Sequence, residues 1–162
     1  MAHSPLAAVL GRIPSGIFIL TSRDATAAEP RETGMLASWV MQAGFEPPMV
    51  TVAMGKKRYL ADWLLRGESF VLNLVGHEQG SLLKHFGKGF EPGEPAFEGL
   101  RIARSPAGLP VLTDCLGYLE CNPTAHVESG DHYIVLAQVL AAEMLDEEAR
   151  PMVHLRKNGL HY

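Results

Sequence analysis

Apolar and polar residues alternate in short blocks along the chain, and most of these blocks have the character of β-strands. Runs such as GIFILTS (16–22) and SFVLNLV (69–75) are rich in β-branched and aromatic residues, which is typical of strands. Runs of the same kind predict further strands at 34–44, 47–54, 109–114, 117–129 and 131–145. The chain is therefore predicted to be mainly β.

Three other blocks have the spacing of helices. The first opens with Ser-Pro, a pair favoured at the N-cap and the first helical position. In the second, apolar side chains recur every three to four residues and share one face. The predicted helices cover 4–13, 58–67 and 78–87.

The order of these elements indicates the fold class. The predicted strands follow one another without regular helical crossovers, which favours an antiparallel barrel with helices at its ends over a doubly wound sheet. Gly130 supplies the permissive backbone for a hairpin turn between the last two strands. Pro47 and Pro48 lack backbone donors and are expected before the third strand or at its edge. Without internal repeats or a linker, we predict one domain over residues 1–162.

Composition narrows the class of protein. At 47% hydrophobic residues, the 162-residue chain can bury a sizeable core. Its formal net charge of −4 argues against a general nucleic-acid binder. The longest apolar run falls far short of the roughly 20 residues that a membrane span needs. With no pattern of a secretory signal at the N-terminus, we expect a cytoplasmic protein in which Cys115 and Cys121 are buried, reduced thiols.

Motifs for nucleotide phosphates and metals are absent or weak. The chain contains neither G-x-x-x-x-G-K-[ST] nor H-E-x-x-H. The stretch HVESGDH brings together His126, Glu128, Asp131 and His132. A glycine turn separates the two pairs and no second ligand cluster is evident, so we predict a polar hairpin tip and no metal.

The segment TGMLASWVMQAGFEPPMVTVAM (33–54) carries polar residues that a plain core strand does not need, namely Ser38 and Gln42. Together with RIPSGIFILTS, SFVLNLV, LKHFGKGFEPGEPAFEGL, GYLEC, GDHYIVLAQV and HLRKNGLHY, it resembles the flavin reductase-like family, the FMN-binding split β-barrel of antiparallel Greek-key type. The pieces GRIPSG, ASWVMQAGFEPP, LKHFGKGFEPGE and RKNGLHY more narrowly resemble the C-terminal flavin reductase domain of cyanobacterial-type diflavin flavodiiron proteins.

The resemblance implies a place for the flavin ring. In that family the strand corresponding to residues 35–40 lies along the isoalloxazine of FMN, and small residues let the backbone approach. An extended strand can offer N–H and C=O groups to the polar edge of the ring. The implied contacts are Met35, Ala37, Ser38, Trp39 and Val40. From the residues alone, Trp39 could equally be core or a dimer contact, and Ser38 could be satisfied within its own sheet.

The family holds the FMN phosphate in the loop after the third strand, which here reads MGKKRY. A phosphate dianion favours charged donors, and Arg58 could make a forked contact. Many relatives carry Ser or Thr where this chain has Tyr59 and a run of bases, so the individual contacts stay open. The implied residues are Ala53, Met54, Lys56, Lys57, Arg58 and Tyr59.

Four further residues complete the implied site. Asn73 is a polar residue within an apolar strand and supports the site from nearby. Phe86 and Lys88 match the region that closes over the far side of the flavin, although packing at the end of a helix would explain them equally well. His132, in the GDH signature, lies where the nicotinamide approaches the ring, and Asp131 shapes the turn.

The resemblance thus implies an FMN-containing oxidoreductase in which NAD(P)H gives a hydride to flavin N5 and electrons pass to an acceptor. Three alternatives stay open: ferric iron or dioxygen as the acceptor, a non-catalytic FMN electron-transfer module serving a flavodiiron partner, and a haem- or flavin-binding storage barrel. A homodimer is expected, because family barrels pair near the flavin and Trp39, Met41 and Phe45 supply surplus apolar surface.

Overall fold

A computed structural model gives the positions of residues 4–161. Within this range the chain forms three helices and eleven strands, in the order α1 (Pro5–Leu10), β1 (Ser15–Gly16), β2 (Phe18–Asp24), β3 (Arg31–Ala37), β4 (Val40–Phe45), β5 (Pro48–Gly55), α2 (Tyr59–Leu65), β6 (Phe70–Leu74), α3 (Gly80–Phe86), β7 (Ile102–Arg104), β8 (Pro110–Leu112), β9 (Gly117–Ser129), β10 (His132–Met144) and β11 (Val153–His154).

Seven strands form one antiparallel sheet, in the spatial order β3, β2, β6, β9, β10, β5 and β4. The predicted fold class, mainly β with short helices and antiparallel pairing, is confirmed. Two further pairs, β1 with β11 and β7 with β8, make small ribbons beside the sheet. The sequence did not predict β1, β7 or β11, because strands of two or three residues are too short to show a period.

The predicted strand over 34–44 is wrong as a single element. It divides into β3 and β4, which lie at opposite edges of the sheet although only Ser38 and Trp39 separate them in the chain. Two residues can join the edges only if the sheet curls until the edges approach each other. The Ala53 N–H donates to the Trp39 carbonyl at 2.9 Å and fixes this closure. The result is a barrel that stays open beside β3.

The hairpin of β9 and β10 contains the longest strands of the barrel. Ser129 pairs with His132 across a two-residue turn, and Gly130 has φ +60° at the first turn position, where a type II′ turn requires glycine. The predicted hairpin is therefore confirmed. Its open end pairs with β6 on one side and its tip pairs with β5 on the other.

The main core fills the interior of the curl and is covered by α2. Leu20, Val52 and Leu72 have no exposed surface, and α2 adds Trp63 and Leu64 from its buried face. The predicted apolar face of this helix is thus confirmed. All three helices have only six or seven residues, and none in the described range is long and apolar enough to cross a membrane.

The two cysteines are buried and no disulfide joins them. Burial raises the pKa of Cys115 to about 12, and it raises the pKa of Cys121 to about 12 as well. Both groups are therefore neutral thiols at physiological pH, as the sequence predicts.

Asn73 is fully buried and ties three strands together. Its amide group donates to the Ile19 carbonyl at 2.9 Å and to the Thr21 hydroxyl at 3.3 Å, while its carbonyl accepts from the Leu112 N–H at 2.8 Å. A buried polar group is stable only when it is hydrogen-bonded in this way. Asn73 therefore links β6 to β2 and β8.

We predict that Asn73→Ala lowers the free energy of unfolding by about 1–3 kcal/mol, because the buried Leu112 N–H loses its acceptor. Urea unfolding measures the change. Asn122→Ala is the matched control, because the Asn122 side chain is half-buried and its hydrogen bonds are long, at 3.3 and 3.5 Å. An Asn73 variant as stable as the parent chain, but with weakened flavin binding, would contradict this structural role.

Candidate functional site

One cleft opens where the barrel is split. Its lining comes from β3 and the residue after it, from the end of β5, from the start of α2 and from the end of α3. The lining residues are Met35, Leu36, Ala37, Ser38, Ala53, Met54, Gly55, Arg58, Phe86, Gly87 and Gly89.

The lining shows that the cleft lies along strand edges and not on a strand face. Successive side chains of a strand point to opposite faces, yet residues 35–38 and 53–55 all line the cleft in unbroken runs. β3 is an edge strand of the sheet, and β4 pairs with β5 only as far as Val52. The cleft therefore runs along backbone that has no neighbouring strand in the described sheet on that side. Such an edge offers N–H and C=O groups to a planar ligand with a polar rim.

Arg58 closes one end of this cleft. A Cβ placed on Gly55 would lie 3.9 Å from Arg58 Cγ, and a Cβ placed on Gly89 would lie 3.1 Å from Arg58 Nη1. The side chain thus extends from Gly55 to Gly89, and Gly89, with φ +77°, leaves room for the guanidinium. A forked donor at the end of a strand-edge cleft is suited to a phosphate or carboxylate.

A second cavity adjoins the cleft and shares Arg58 and Gly89 with it. It is lined by Lys57, Arg58, Tyr59, Lys88, Gly89, Phe90, Glu91, Pro92 and Glu94. Among the described residues, no carboxylate forms an ion pair with Lys57, Arg58 or Lys88. Three exposed cations therefore line this cavity together with Glu91 and Glu94, and Arg58 is the one that also lines the cleft.

The Tyr59 hydroxyl bonds to two separate parts of the chain beside the cleft. It lies 2.8 Å from the Thr33 hydroxyl and donates to the Phe90 carbonyl at 2.7 Å. Burial is the main cause that raises the pKa of this phenol above its usual value. The hydroxyl is engaged by the protein, so Tyr59 ties β3 to the loop that follows α3.

Phe86, at the end of α3, is an aromatic residue of the cleft lining. It is buried, and its ring packs edge-on against Phe90 with the centroids 5.7 Å apart. A Cβ on Gly34 would lie 2.9 Å from this ring, so glycine at that position lets the ring approach β3.

His132 stands at the rim of the cleft. It pairs with Gly55 across the sheet, and its Nε2 lies 3.9 Å from the position of a Cβ on that glycine. Its Nδ1 lies 2.7 Å from an oxygen of Asp131, and this hydrogen bond is the first cause that lowers the pKa of the Asp131 carboxyl. The Trp39 ring packs against the imidazole with 4.9 Å between centroids. One ring nitrogen is thus held by a carboxylate, while the other lies close to Gly55, which lines the cleft.

The residues implied by the family resemblance fall into three groups. Those that line the cleft are Met35, Ala37, Ser38, Ala53, Met54, Arg58 and Phe86. Those that line only the adjoining cavity are Lys57, Tyr59 and Lys88. Those that line neither are Trp39, Val40, Lys56, Asn73 and His132.

The third group has other contacts. Lys56 is 2.8 Å from Glu128, and this hydrogen bond raises the pKa of the lysine and lowers that of the carboxyl. Val40 packs on the main core, and Asn73 holds the strands described above. Gln42, the second polar residue of the 33–54 segment, is exposed on β4, away from the cleft lining. No cluster of three or more candidate metal ligands occurs in the part of the chain that the structure describes.

Four cleft residues were not singled out from the sequence: Leu36, Gly55, Gly87 and Gly89. The glycines carry a signal, since each stands beside a candidate basic or aromatic residue in MGKKRY or HFGKGF. Leu36 carries no such signal, because it lines the cleft only by belonging to a strand whose edge borders the cleft.

Comparison with known proteins places these features in a family. The family model described as "Flavin reductase like domain" matches residues 10–159. Diflavin flavoprotein A 1 from Synechocystis sp. is 40% identical over 162 residues, which is 98% of this chain and 27% of that protein. The chain thus spans about a quarter of the length of the curated relatives it matches.

Solved structures share the fold. The NADH:FAD oxidoreductase SgcE6 from Streptomyces globisporus has a TM-score of 0.81 and 25% identity, covering 91% of this chain and 85% of that one. The styrene monooxygenase flavin reductase from Pseudomonas putida S12 has a TM-score of 0.77 at 22% identity, covering 93% of this chain and 92% of that one. The second likeness shows the fold alone.

Proposed function

The chain belongs to the flavin reductase-like family, and we propose that it binds FMN and transfers a hydride from NAD(P)H to the flavin. Membership of the family, and the likeness to a protein named NADH:FAD oxidoreductase, support a flavin oxidoreductase that depends on NAD(P)H. The observation that carries the finer proposal is the strand-edge cleft with Arg58 at its end. It provides backbone groups for a flat polar ring and a charged fork for a phosphate.

The residues present suit FMN. Small side chains, Ala37, Ser38 and Ala53, leave the strand edges accessible, and Phe86 provides an apolar wall against which a ring can lie. Arg58 would hold the phosphate, with Lys57 and Lys88 adding positive charge from the adjoining cavity. A single forked site at the cleft end fits the one phosphate of FMN.

When bound, FMN supplies a ring nitrogen, N5, that accepts the hydride from the nicotinamide, which leaves as NAD(P)⁺. The protein binds and orients. Met54 and Phe86 are buried and keep water from one side of the cleft. Because the Asp131 carboxylate accepts from Nδ1–H, Nε2 of His132 at the rim can accept a hydrogen bond from the nicotinamide carboxamide or a ribose hydroxyl. No side chain is required as a general acid or base.

The relatives favour a second candidate function, which concerns the acceptor of the electrons from reduced flavin. They are named diflavin flavoproteins and are about four times as long as this chain. The domain could therefore pass its electrons to a flavodiiron core, as an electron-transfer module. Ferric iron and dioxygen are the competing acceptors.

Anaerobic mixing of the FMN-loaded protein with NADH or NADPH tests the proposed function. Loss of the oxidised flavin absorbance on the timescale of turnover supports a reductase. A protein that binds FMN but is reduced only by dithionite would be an electron-transfer module instead. A protein that binds haem and not FMN would contradict both.

We predict that Arg58→Ala weakens FMN binding by about 1.5–3 kcal/mol, the range for hydrogen bonds to charged groups, which is roughly tenfold to more than a hundredfold. Binding of riboflavin, which lacks the phosphate, should be nearly unchanged. Titration of each flavin into the apoprotein, followed by fluorescence quenching, measures both.

Arg66→Ala is the matched control for this experiment. Arg66 is exposed at the other end of α2, and neither it nor its partner Asp24 lines the cleft, so its removal changes the net charge equally without touching the site. Equal losses of FMN and riboflavin affinity in Arg58→Ala would assign Arg58 a structural role.

We predict that His132→Ala keeps FMN bound but slows its reduction by NAD(P)H by about two- to tenfold, as expected for one lost hydrogen bond. Reduction by dithionite should not change. Stopped-flow absorbance measures both rates, with His126→Ala as the control, because His126 is a histidine of the same hairpin packed on Tyr133. Parent-like reduction at every NAD(P)H concentration would remove His132 from the site.

We also propose a homodimer through β4. This strand is at the sheet edge, and it exposes Met41 at 69% and Phe45 at 87% of their surface. Large exposed apolar residues on an edge strand favour burial against a second copy. Trp39, the third residue considered for this surface, is half-buried between His132 and Arg156 and supplies less of it.

The double substitution Met41→Glu with Phe45→Glu should therefore shift the protein to monomer at micromolar concentration. Sedimentation velocity measures the shift, and Val9→Glu is the control, because Val9 is similarly exposed at 68% but lies on α1. A parent chain that sediments as a monomer with FMN bound would exclude the dimer.

A further inference from the structure

The C-terminal segment is fixed against the start of the chain. β11 pairs with β1, the Arg156 N–H donates to the Gly11 carbonyl at 2.9 Å, and the Gly159 N–H donates to the Ala7 carbonyl at 2.8 Å. A Cβ on Gly11 would come within 2.5 Å of the Arg156 carbonyl oxygen, so glycine is needed for this contact. The backbone on both sides of Arg156 is thereby held in place.

This attachment brings Arg156 to the aromatic residues at the cleft. Its guanidinium carbon lies 4.9 Å from the centroid of the Trp39 ring, and that ring lies 4.9 Å from the His132 imidazole. Arg156 and His132 thus both contact Trp39, and the two aromatic rings are tilted by 44°. Trp39 follows Ser38 directly in the chain, so this group of side chains is attached to the cleft lining.

Beside its cation–π contact with Trp39, the guanidinium of Arg156 has N–H donors that a ligand can use. A guanidinium carries several N–H donors in one planar fork. Of these side-chain donors, Nη1 lies 3.4 Å from the Gly159 carbonyl, and within residues 4–161 no carboxylate is in ion-pair contact with Arg156. The side chain is half-buried and is held by the Trp39 ring and the Gly159 carbonyl, so its charge is oriented in advance.

We propose that Arg156 binds the diphosphate of the NAD(P)H that reacts in the cleft, and that Trp39 holds it in position. This proposal rests on the proposed function. A dinucleotide whose nicotinamide reaches His132 carries its diphosphate one ribose further from the reacting ring. Arg156 contacts the same indole as His132 and presents the forked donor that suits a diphosphate. Arg156 thus selects a full dinucleotide over a nicotinamide mononucleotide.

Calorimetric titration of FMN-loaded protein with ADP-ribose tests the proposal without catalysis, because this probe carries the diphosphate but no nicotinamide. Arg156→Ala should weaken ADP-ribose binding about tenfold or more, as expected for a lost hydrogen bond to a charged group. It should weaken binding of nicotinamide mononucleotide, which has one phosphate, by a smaller factor. Arg156→Lys, which keeps the charge but loses the fork, should fall between the parent chain and Arg156→Ala.

Lys157→Ala is the matched control, because Lys157 is the exposed neighbour and its removal takes away the same charge. It should bind ADP-ribose within about twofold of the parent chain. Equal ADP-ribose affinity in the parent, Arg156→Ala and Arg156→Lys, or an equal loss in Lys157→Ala, would overturn the proposal. If FMN still binds and is reduced by NAD(P)H, the proposed function stands although Arg156 has no part in it. If FMN fails to bind, both fall together.

Discussion

The two-residue connection between β3 and β4 constrains the whole structure. Strands at opposite edges of a seven-stranded sheet are joined by Ser38 and Trp39 alone, so the sheet must curl until its edges meet there. The Ala53–Trp39 hydrogen bond closes the barrel on one side of this point. On the other side β3 and the end of β5 diverge, and their unpaired edges become the cleft. The short β3–β4 connection therefore closes the barrel on one side and leaves the cleft open on the other.

The cleft offers uncharged and charged groups to a ligand in different places. Along its length the strand edges can offer backbone N–H and C=O groups, which are neutral. At one end of the cleft, positive charge comes from Arg58, which extends from Gly55 to Gly89. At the rim, His132 and Arg156 both pack against Trp39. A flavin that occupies the cleft with its phosphate on Arg58 would leave its ring accessible to a second, dinucleotide ligand near Trp39.

Local pattern predicted most of the elements, because strands such as β2, β6 and the β9–β10 hairpin have clear composition and a glycine turn. It could not reveal the break at Ser38–Trp39. Both halves of 34–44 have strand-like residues, and the break is set by distant partners, Phe18 for Ala37 and Val52 for Val40.

The site was predictable only in part for the same reason. Ser38 and Arg58 were found through their motif, and the structure brings both to the cleft. The sequence could not show that Asn73 and Tyr59 hydrogen-bond to backbone carbonyls, because a side chain that contacts a ligand would have the same residue type and the same motif. Arg156 lies far along the chain from Trp39, and they meet because the C-terminal segment is fixed to the start of the chain by β1–β11 pairing and by the contacts of Gly11.

A crystal structure of the FMN complex would decide whether the strand edges hold the flavin. We expect the isoalloxazine ring between residues 35–38 and 53–55, with its polar edge hydrogen-bonded to strand backbone and its phosphate on Arg58. A flavin bound outside this cleft, or with its phosphate remote from Arg58, would contradict this assignment.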